Sequence, residues 1–181
     1  MNAELKRKRS ISLVPEYVFD TYLCVTPEFL DKLGIRALLI DIDNTLAPYE
    51  QALPDEKIIA WFESLKQVGI SSALISNNHS DRVELFNSLL GLHAYADSGK
   101  PGGKTLLRAM RDMGVDASVT AGLGDQLLTD TLAVHRLGMI SIIVPPIKDK
   151  KTLFFRFKRL LERPFMRAYR KRENRKGGQN I

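Results

Sequence analysis

Carboxylates recur in this chain where short apolar runs end. Ala37-Leu38-Leu39-Ile40 passes directly into Asp41-Ile42-Asp43-Asn44-Thr45. A second run, Ser72–Ile75, is followed by Ser76-Asn77-Asn78, and a later one, Ser118–Leu123, by Gly124-Asp125-Gln126 and Thr129-Asp130. Lys100-Pro101 lies between the last two. Hard carboxylate oxygens suit Mg²⁺, which takes one or two of them together with phosphate oxygens and water. A carboxylate can also attack phosphorus, dividing one difficult displacement into two easier ones. A second carboxyl can give a proton to the leaving oxygen and later take one from water. A hydroxyl, backbone amides and an ammonium can then stabilise the charge on the transferring group. Asp41 and Asp43 point the same way as long as the chain between them stays extended.

The elements that must carry these residues are marked by five glycines: Gly34, Gly69, Gly91, Gly114 and Gly138. Each ends an amphipathic stretch, as a glycine just past a helix does. Thr26-Pro27-Glu28 reads as a cap, a first-turn proline and an early acid before Gly34. Ile58, Trp61, Phe62, Leu65 and Val68 recur at three and four before Gly69, and Val83, Phe86, Leu89 and Leu90 do so before Gly91. Leu106, Met110 and Met113 precede Gly114; Leu128, Leu132, Val134 and Leu137 precede Gly138. After the glycines come the apolar runs already named, with Met139–Val144 and a weaker Leu92–Ala96. Such alternation predicts βαβ units and an α/β, Rossmann-like, doubly wound parallel sheet. Ligands bind beyond the carboxyl ends of such strands.

Each residue type also has an ordinary use. Asp41 and Asp43 could cap a loop, Ser76-Asn77-Asn78 could cap the next helix, Lys100 could be a solvated charge, and Asp125 and Asp130 could be acids at a helix start. The histidines His79, His93 and His135 lack metal-ligand spacing and read as surface or loop residues. Cys24 reads as a packed thiol; as a lone cysteine it excludes an internal disulfide. Trp61 reads as core.

The order Asp41-x-Asp43-x-Thr45, Ser76, Lys100, Gly124-Asp125…Asp130 resembles the four motifs of the haloacid dehalogenase (HAD) superfamily of phosphatases. The longer strings are similar to its YqeG family, in subfamily IIIA, which is itself similar to mitochondrial phosphatidylglycerophosphatases. The resemblance covers about residues 14–165. It implies Asp41 as nucleophile and metal ligand, and Asp43 as general acid/base that lends its backbone carbonyl to the metal. It implies Ser76 and the Asn77 backbone as holders of phosphate oxygens and Lys100 as the neutralising cation. It implies Asp125 as a Mg²⁺ ligand and Asp130 as a support of the metal shell. Lys104 is a rival to Lys100 because Asp97-Ser-Gly-Lys-Pro-Gly-Gly103 is unusually rich in glycine. Val134-His135-Arg136 departs from the family's Gly-Asn-Arg.

About thirty residues separate Thr45 from Ser76, and still fewer separate Ser76 from Lys100, too few in either gap for a cap domain. A capless, open site favours a large or membrane-embedded phosphoester, and the resemblance points to phosphatidylglycerophosphate. The alternatives are a soluble sugar phosphate, nucleotide or phosphoprotein, or a non-catalytic RNA- or ribonucleoprotein-binding role.

Charge bears on that choice. Residues 1–10 hold four basic side chains against one acid, and 148–181 hold thirteen against three. The remaining 11–147 hold ten against seventeen, so an acidic body of −7 lies between ends of +3 and +10. Leu153, Phe154, Phe157, Leu160 and Leu161 share one side of a helix that Pro164 ends or kinks. That helix either packs on the domain or lies on an anionic membrane surface. The expected organisation is a basic segment over 1–13, a phosphatase domain over 14–165 and a disordered basic tail over 166–181. Nucleic acid is disfavoured as a partner because the basic run lacks interleaved aromatics beyond Tyr169. The opening MNAELKRKRS has no apolar stretch after it of the kind a signal peptide needs. No run approaches the roughly 18–20 apolar residues that span a bilayer. The expected location is cytoplasmic, with peripheral contact on the inner membrane face.

Overall fold

The computed structural model of the chain describes residues 11–148 and 153–177, the side chains of 153–159 and 176–177 excepted. Four strands form where the apolar runs lie: β2 (Ala37–Ile40), β3 (Ser71–Ile75), β5 (Thr120–Gly124) and β6 (Ile140–Ile143). The weaker run gives the short β4 (His93–Tyr95). A two-residue β1 (Tyr17–Val18), which has no signal in the sequence, adds to one edge. All pairings are parallel, in the order β1-β6-β5-β2-β3-β4. β2 is central, with Ile40 opposite Leu74 on one side and Leu123 on the other.

Alternation sorts the strand side chains onto two covered faces. Leu38, Ile40, Leu74, Ala121 and Leu123 join one cluster with Ile58, Trp61, Leu65, Val83 and Phe86 from helices α2 (Glu56–Gln67) and α3 (Ser80–Asn87). Leu39, Ala73 and Ile75 join the other with Leu106, Met110, Ala133 and Val134 from α4 (Lys104–Asp112) and α5 (Leu132–Arg136). Burial on both faces explains why these strands read as unbroken apolar runs. Each fully buried Leu or Ile contributes about 1.5–3 kcal/mol.

Local chemistry sets the helix starts. Thr26 Oγ1 accepts from Phe29 N at 3.3 Å ahead of α1 (Pro27–Lys32), and Asp55 Oδ1 accepts from Ile58 N at 2.9 Å ahead of α2. The five marker glycines all have φ between 61° and 77°, the left-handed turn that ends each helix. Trp61 is core as expected, and its indole N–H also reaches Val25 O at 3.0 Å.

Three expectations do not hold. Pro164 does not end α6, which runs from Leu153 to Gly177 with the proline inside it, so residues 166–177 are helical rather than disordered. This stretch is tied to the β1 segment: Val18 N donates to Tyr169 Oη at 3.1 Å, and Arg172 Nη2 donates to Pro15 O and Glu16 O at 2.6 and 2.8 Å. His135 is buried, not a surface residue. Its Nδ1 is 2.7 Å from Ser12 O and its Nε2 2.9 Å from Glu16 Oε2, so it clasps the segment that leads into β1. Cys24 is exposed rather than packed.

The Leu153, Phe154 and Phe157 side chains lie outside the described residues, as do the basic residues 6–9; Leu160 and Leu161, just beyond, are exposed. Between Thr45 and Ser76 the chain forms one loop, α2 and β3; between Ser76 and Lys100 it forms α3 and β4. Neither gap folds into a separate unit over the sheet. Among the described residues, no helix is long and apolar enough to cross a membrane.

Candidate active site

β2, β3 and β5 are neighbours, so their carboxyl ends bring three separate stretches of sequence together. Asp41 leaves β2 with its amide donated to Leu123 O at 2.9 Å, which holds it in sheet geometry beside β5. The chain then turns sharply. The amides of Thr45, Leu46 and Ala47 all return to Ile42 O, and Asn44 takes φ 67°. A buried non-glycine in that conformation is strained, and its amide bond to Ala47 O at 2.7 Å and its carbonyl bond from Ile147 N at 3.0 Å hold it there. Thr45 Oγ1 donates to Asp41 Oδ2 at 3.2 Å.

Lys100 is the hub. Its Nζ lies 2.7 Å from Asp41 Oδ1, 2.7 Å from Asp130 Oδ1 and 2.8 Å from Ile75 O, and the residue is only 9% exposed. Asn77 keeps its loop in place. Asn77 Oδ1 accepts from Lys100 N at 2.9 Å and from Ser98 Oγ at 2.6 Å, while Nδ2 donates to Lys100 O at 3.0 Å. Lys104 is exposed in the first turn of α4, outside this arrangement. Ser76 is buried at the end of β3 and its Oγ accepts from Asn78 N at 3.0 Å, which leaves the hydroxyl proton to donate.

Asp125 follows β5 directly, and five π-helical residues, Leu127–Thr131, carry Asp130 back towards it. Asp130 Oδ2 accepts from Gln126 N at 3.1 Å and Thr129 Oγ1 at 3.3 Å. This return is possible because Gly124 has no side chain: a Cβ there would lie 2.4 Å from Asp130 Cγ. One carboxylate oxygen from each of Asp41, Asp125 and Asp130 lies within 4.8 Å of the others, all three residues being buried. A hard, all-oxygen, anionic cluster of that size fits a divalent cation such as Mg²⁺.

The charge balance agrees. Burial, opposed by Lys100 and reinforced by Asp130 and Asp43, pushes the Asp41 carboxyl up to about 7. Burial also pulls on Lys100, but Asp130 and Asp41 outweigh it and hold the ammonium firmly protonated. The pair is asymmetric because one ammonium serves two carboxylates. The site therefore has room for another positive charge.

Asp43 faces the same cleft on the other side. Asn78 Nδ2 donates to its Oδ2 at 3.1 Å, and Arg82 reaches its Oδ1 with Nε at 3.3 Å and Nη2 at 3.2 Å. Arg82 also lies over the Phe86 ring, 5.0 Å from its centroid, and donates to Ala52 O. Tyr49 lines the cleft too, and burial together with Asp43 and the other carboxylates pushes its phenol up to about 12.

Asn78, Arg82 and Tyr49 escaped the sequence reading. Asn78 and Arg82 sit where a helix-capping amide and a solvated arginine are ordinary, and nothing marks Tyr49. All seven residues anticipated from the sequence lie at this edge of the sheet, with the Asn77 side chain bonded to the Lys100 loop.

The cleft, about 440 Å³, is lined by Asp41, Asp43, Tyr49, Ser76, Lys100 and Asp130 among others. A larger hollow of about 550 Å³ lies at the amino ends of β3 and β4, between Phe62, Lys66, Leu90 and Asp112. It gathers no comparable set of groups, and ligands of parallel sheets bind at the opposite edge.

No family model matches the chain. The chain is 33% identical over 159 residues to the probable phosphatase YqeG of Bacillus subtilis (strain 168), an alignment covering 88% of this chain and 92% of that one. Its structure resembles a HAD phosphatase from Thermococcus onnurineus, with a TM-score of 0.51 and 14% identity over 66% of this chain and 90% of that one. It also resembles the cobalt-bound deoxy-D-mannose-octulosonate 8-phosphate phosphatase from Haemophilus influenzae, with a TM-score of 0.50 and 14% identity over 76% and 91% of the two chains. At these identities the structural matches establish the shared fold.

Proposed function

The chain belongs to the YqeG family of HAD-type phosphatases, and from that premise we propose a Mg²⁺-dependent phosphomonoesterase that works through an aspartyl-phosphate on Asp41, with phosphatidylglycerophosphate as its substrate. The observation that carries the reading is the Lys100 hub: one buried ammonium 2.7 Å from both Asp41 and Asp130, beside Asp125.

In this reading Asp41 attacks phosphorus with a carboxylate oxygen, and Thr45 and Lys100 fix its orientation. As the ester bond breaks, Asp43 gives its proton to the leaving oxygen, releasing an alcohol. Arg82 and Asn78 hold the resulting carboxylate in place. Asp43 then takes a proton from water, whose oxygen attacks phosphorus, freeing phosphate and regenerating Asp41. Acid–base help of this kind is worth about 10²–10⁴ in rate. Ser76 and the Asn77 backbone N–H accommodate the phosphoryl oxygens, and Lys100 offsets their charge. A cation held by Asp41, Asp125, Asp130 and the Asp43 carbonyl would supply further positive charge beside those oxygens.

The open cleft and the charge on the C-terminal segment support the lipid substrate. Exposed Arg163, Arg167, Arg170 and Lys171 on α6 suit an anionic surface, each worth about 1 kcal/mol near it. Phosphate release would be measured from phosphatidylglycerophosphate in vesicles and from soluble sugar phosphates and nucleotides, with Mg²⁺ and with chelator. Loss of release in Asp41→Asn and in chelator is expected; activity surviving Asp41→Asn would sink the mechanism. Turnover of only the soluble esters, with no flotation on anionic vesicles, would replace the lipid by a soluble substrate.

A further inference from the structure

The turn that carries the acidic cluster is held partly by its own bonds and partly by another element. Leu127–Thr131 is wound as a π-helix, with Thr131 N reaching back to Gln126 O at 3.3 Å. Such turns are uncommon and often mark functional sites. Within the turn, Gln126 N and Thr129 Oγ1 bond Asp130. The amide of Leu127, the first residue of the turn, finds its acceptor in another element: it donates to Glu162 Oε1 on α6 at 2.9 Å. Leu127 lies between Asp125 and Asp130, so this bond fixes the backbone that aims both.

Glu162 is an unusual residue for its place. It is one of three acids among the sixteen charged residues of 148–181. It is 3% exposed, although the preceding Leu160 and Leu161 are 55% and 43% exposed. A carboxylate is withdrawn from water on a helix whose neighbouring leucines remain in it. That inversion is costly unless the buried oxygen is bonded, and the oxygen is bonded to the turn between the two acids.

We propose that Glu162 is a positioning residue of the phosphatase centre: through the Leu127 amide it sets the turn that presents Asp125 and Asp130, which makes α6 part of the active site. This rests on the reading of those two acids as metal ligands. Partners that orient metal ligands from behind typically change metal affinity by about 10–100-fold when removed. A purely structural role, helix glue, would change stability and leave affinity alone.

The test is Mn²⁺ binding to the full chain, by calorimetry and by the loss of the free-ion paramagnetic signal. The proteins are wild type, Glu162→Ala, Glu162→Gln, Tyr169→Phe and Asp125→Asn. Glu162→Ala is expected to bind about tenfold or more weakly while its circular dichroism is unchanged. Glu162→Gln, which keeps an oxygen acceptor, recovers most of the affinity. Tyr169→Phe loosens the far end of α6 and lowers the melting temperature without changing affinity. Wild-type affinity in folded Glu162→Ala, with binding lost in Asp125→Asn, overturns the inference and leaves the metal site standing. No binding by wild type, or unchanged binding by Asp125→Asn, overturns the metal site and the inference with it. Should Glu162→Ala fail to fold, amide exchange of the wild type decides. Protection of Leu127 N–H comparable to that of the α6 amides supports the link, and free exchange overturns it.

Discussion

Without a metal, the buried Asp41 carboxylate works against the fold, and replacing it should therefore make the protein more stable. In Asp41→Asn the amide keeps the shape of the carboxyl and an oxygen for Lys100 Nζ, which also keeps Asp130 as its partner. The carboxyl of Asp41 climbs from 3.8 to about 7, chiefly through burial. That is roughly three pH units at about 1.4 kcal/mol each, so ionised Asp41 costs the metal-free fold up to about 4 kcal/mol.

The sign follows from the direction. A carboxyl that holds its proton more tightly when folded favours the fold below its unfolded value, and that advantage disappears as pH rises through its folded value. The gain from Asp41→Asn should thus be small near pH 4, grow up to about pH 7 and level off above it. At about 2–4 °C per kcal/mol for a chain of this size, the melting temperature at pH 8 should rise by about 5–15 °C. Thermal unfolding followed by circular dichroism in chelator, from pH 4.5 to 8, measures it. Added Mg²⁺ should narrow the gap, since the cation stabilises the wild-type carboxylates and the fold that binds it. Parallel curves for the two proteins across that range, or a variant less stable at pH 8, would refute the electrostatic argument.

Other substitutions examine the supports of the site. Gly124→Ala places a methyl 2.4 Å from Asp130 Cγ; it should cost about 1–3 kcal/mol and at least tenfold in kcat, read by thermal melts and phosphate release. Asn77→Ala removes three bonds to the Lys100 loop; a loss of about 2–3 kcal/mol is expected, with kcat falling more than KM rises. Tyr169→Phe deletes the acceptor for Val18 N and should cost about 1 kcal/mol by denaturant melts. An unchanged midpoint there would mean that the end of α6 is not docked in solution.

Much of this architecture was legible because a parallel sheet buried on both faces leaves unbroken apolar runs, and its chemistry begins at the residue after each run. Asp41 and Asp125 follow their strands with no gap, so composition and position pointed to the same places. Arg82 was not legible: its value lies in Asp43, met only when the first turn of α3 comes beside the β2 loop. His135 and Cys24 were read the wrong way round because burial of a single residue depends on distant partners. Here those are Ser12 and Glu16 for the histidine. The helix beyond Pro164 was missed for a similar reason. A proline and a basic run predict termination locally, and the bonds from Tyr169 and Arg172 to residues 15–18 are invisible to any window of sequence.

The small β1 strand also protects the molecule from itself. β6, Ile-Ser-Ile-Ile, would offer its outer backbone to any passing strand. Residues 16–19 occupy that line instead, with Glu16 N bonded to Ser141 O, Ser141 N to the Glu16 carboxylate, and Phe19 N to Ile143 O. Glu16 also belongs to the clasp, its carboxylate meeting His135 Nε2 and its carbonyl accepting from Arg172 Nη2. A chain shortened to begin at residue 20 would keep every catalytic group and uncover a sticky edge, on which a second copy can add its own strand. Self-association of such a truncated protein would originate there, on the flank of the sheet farthest from β4.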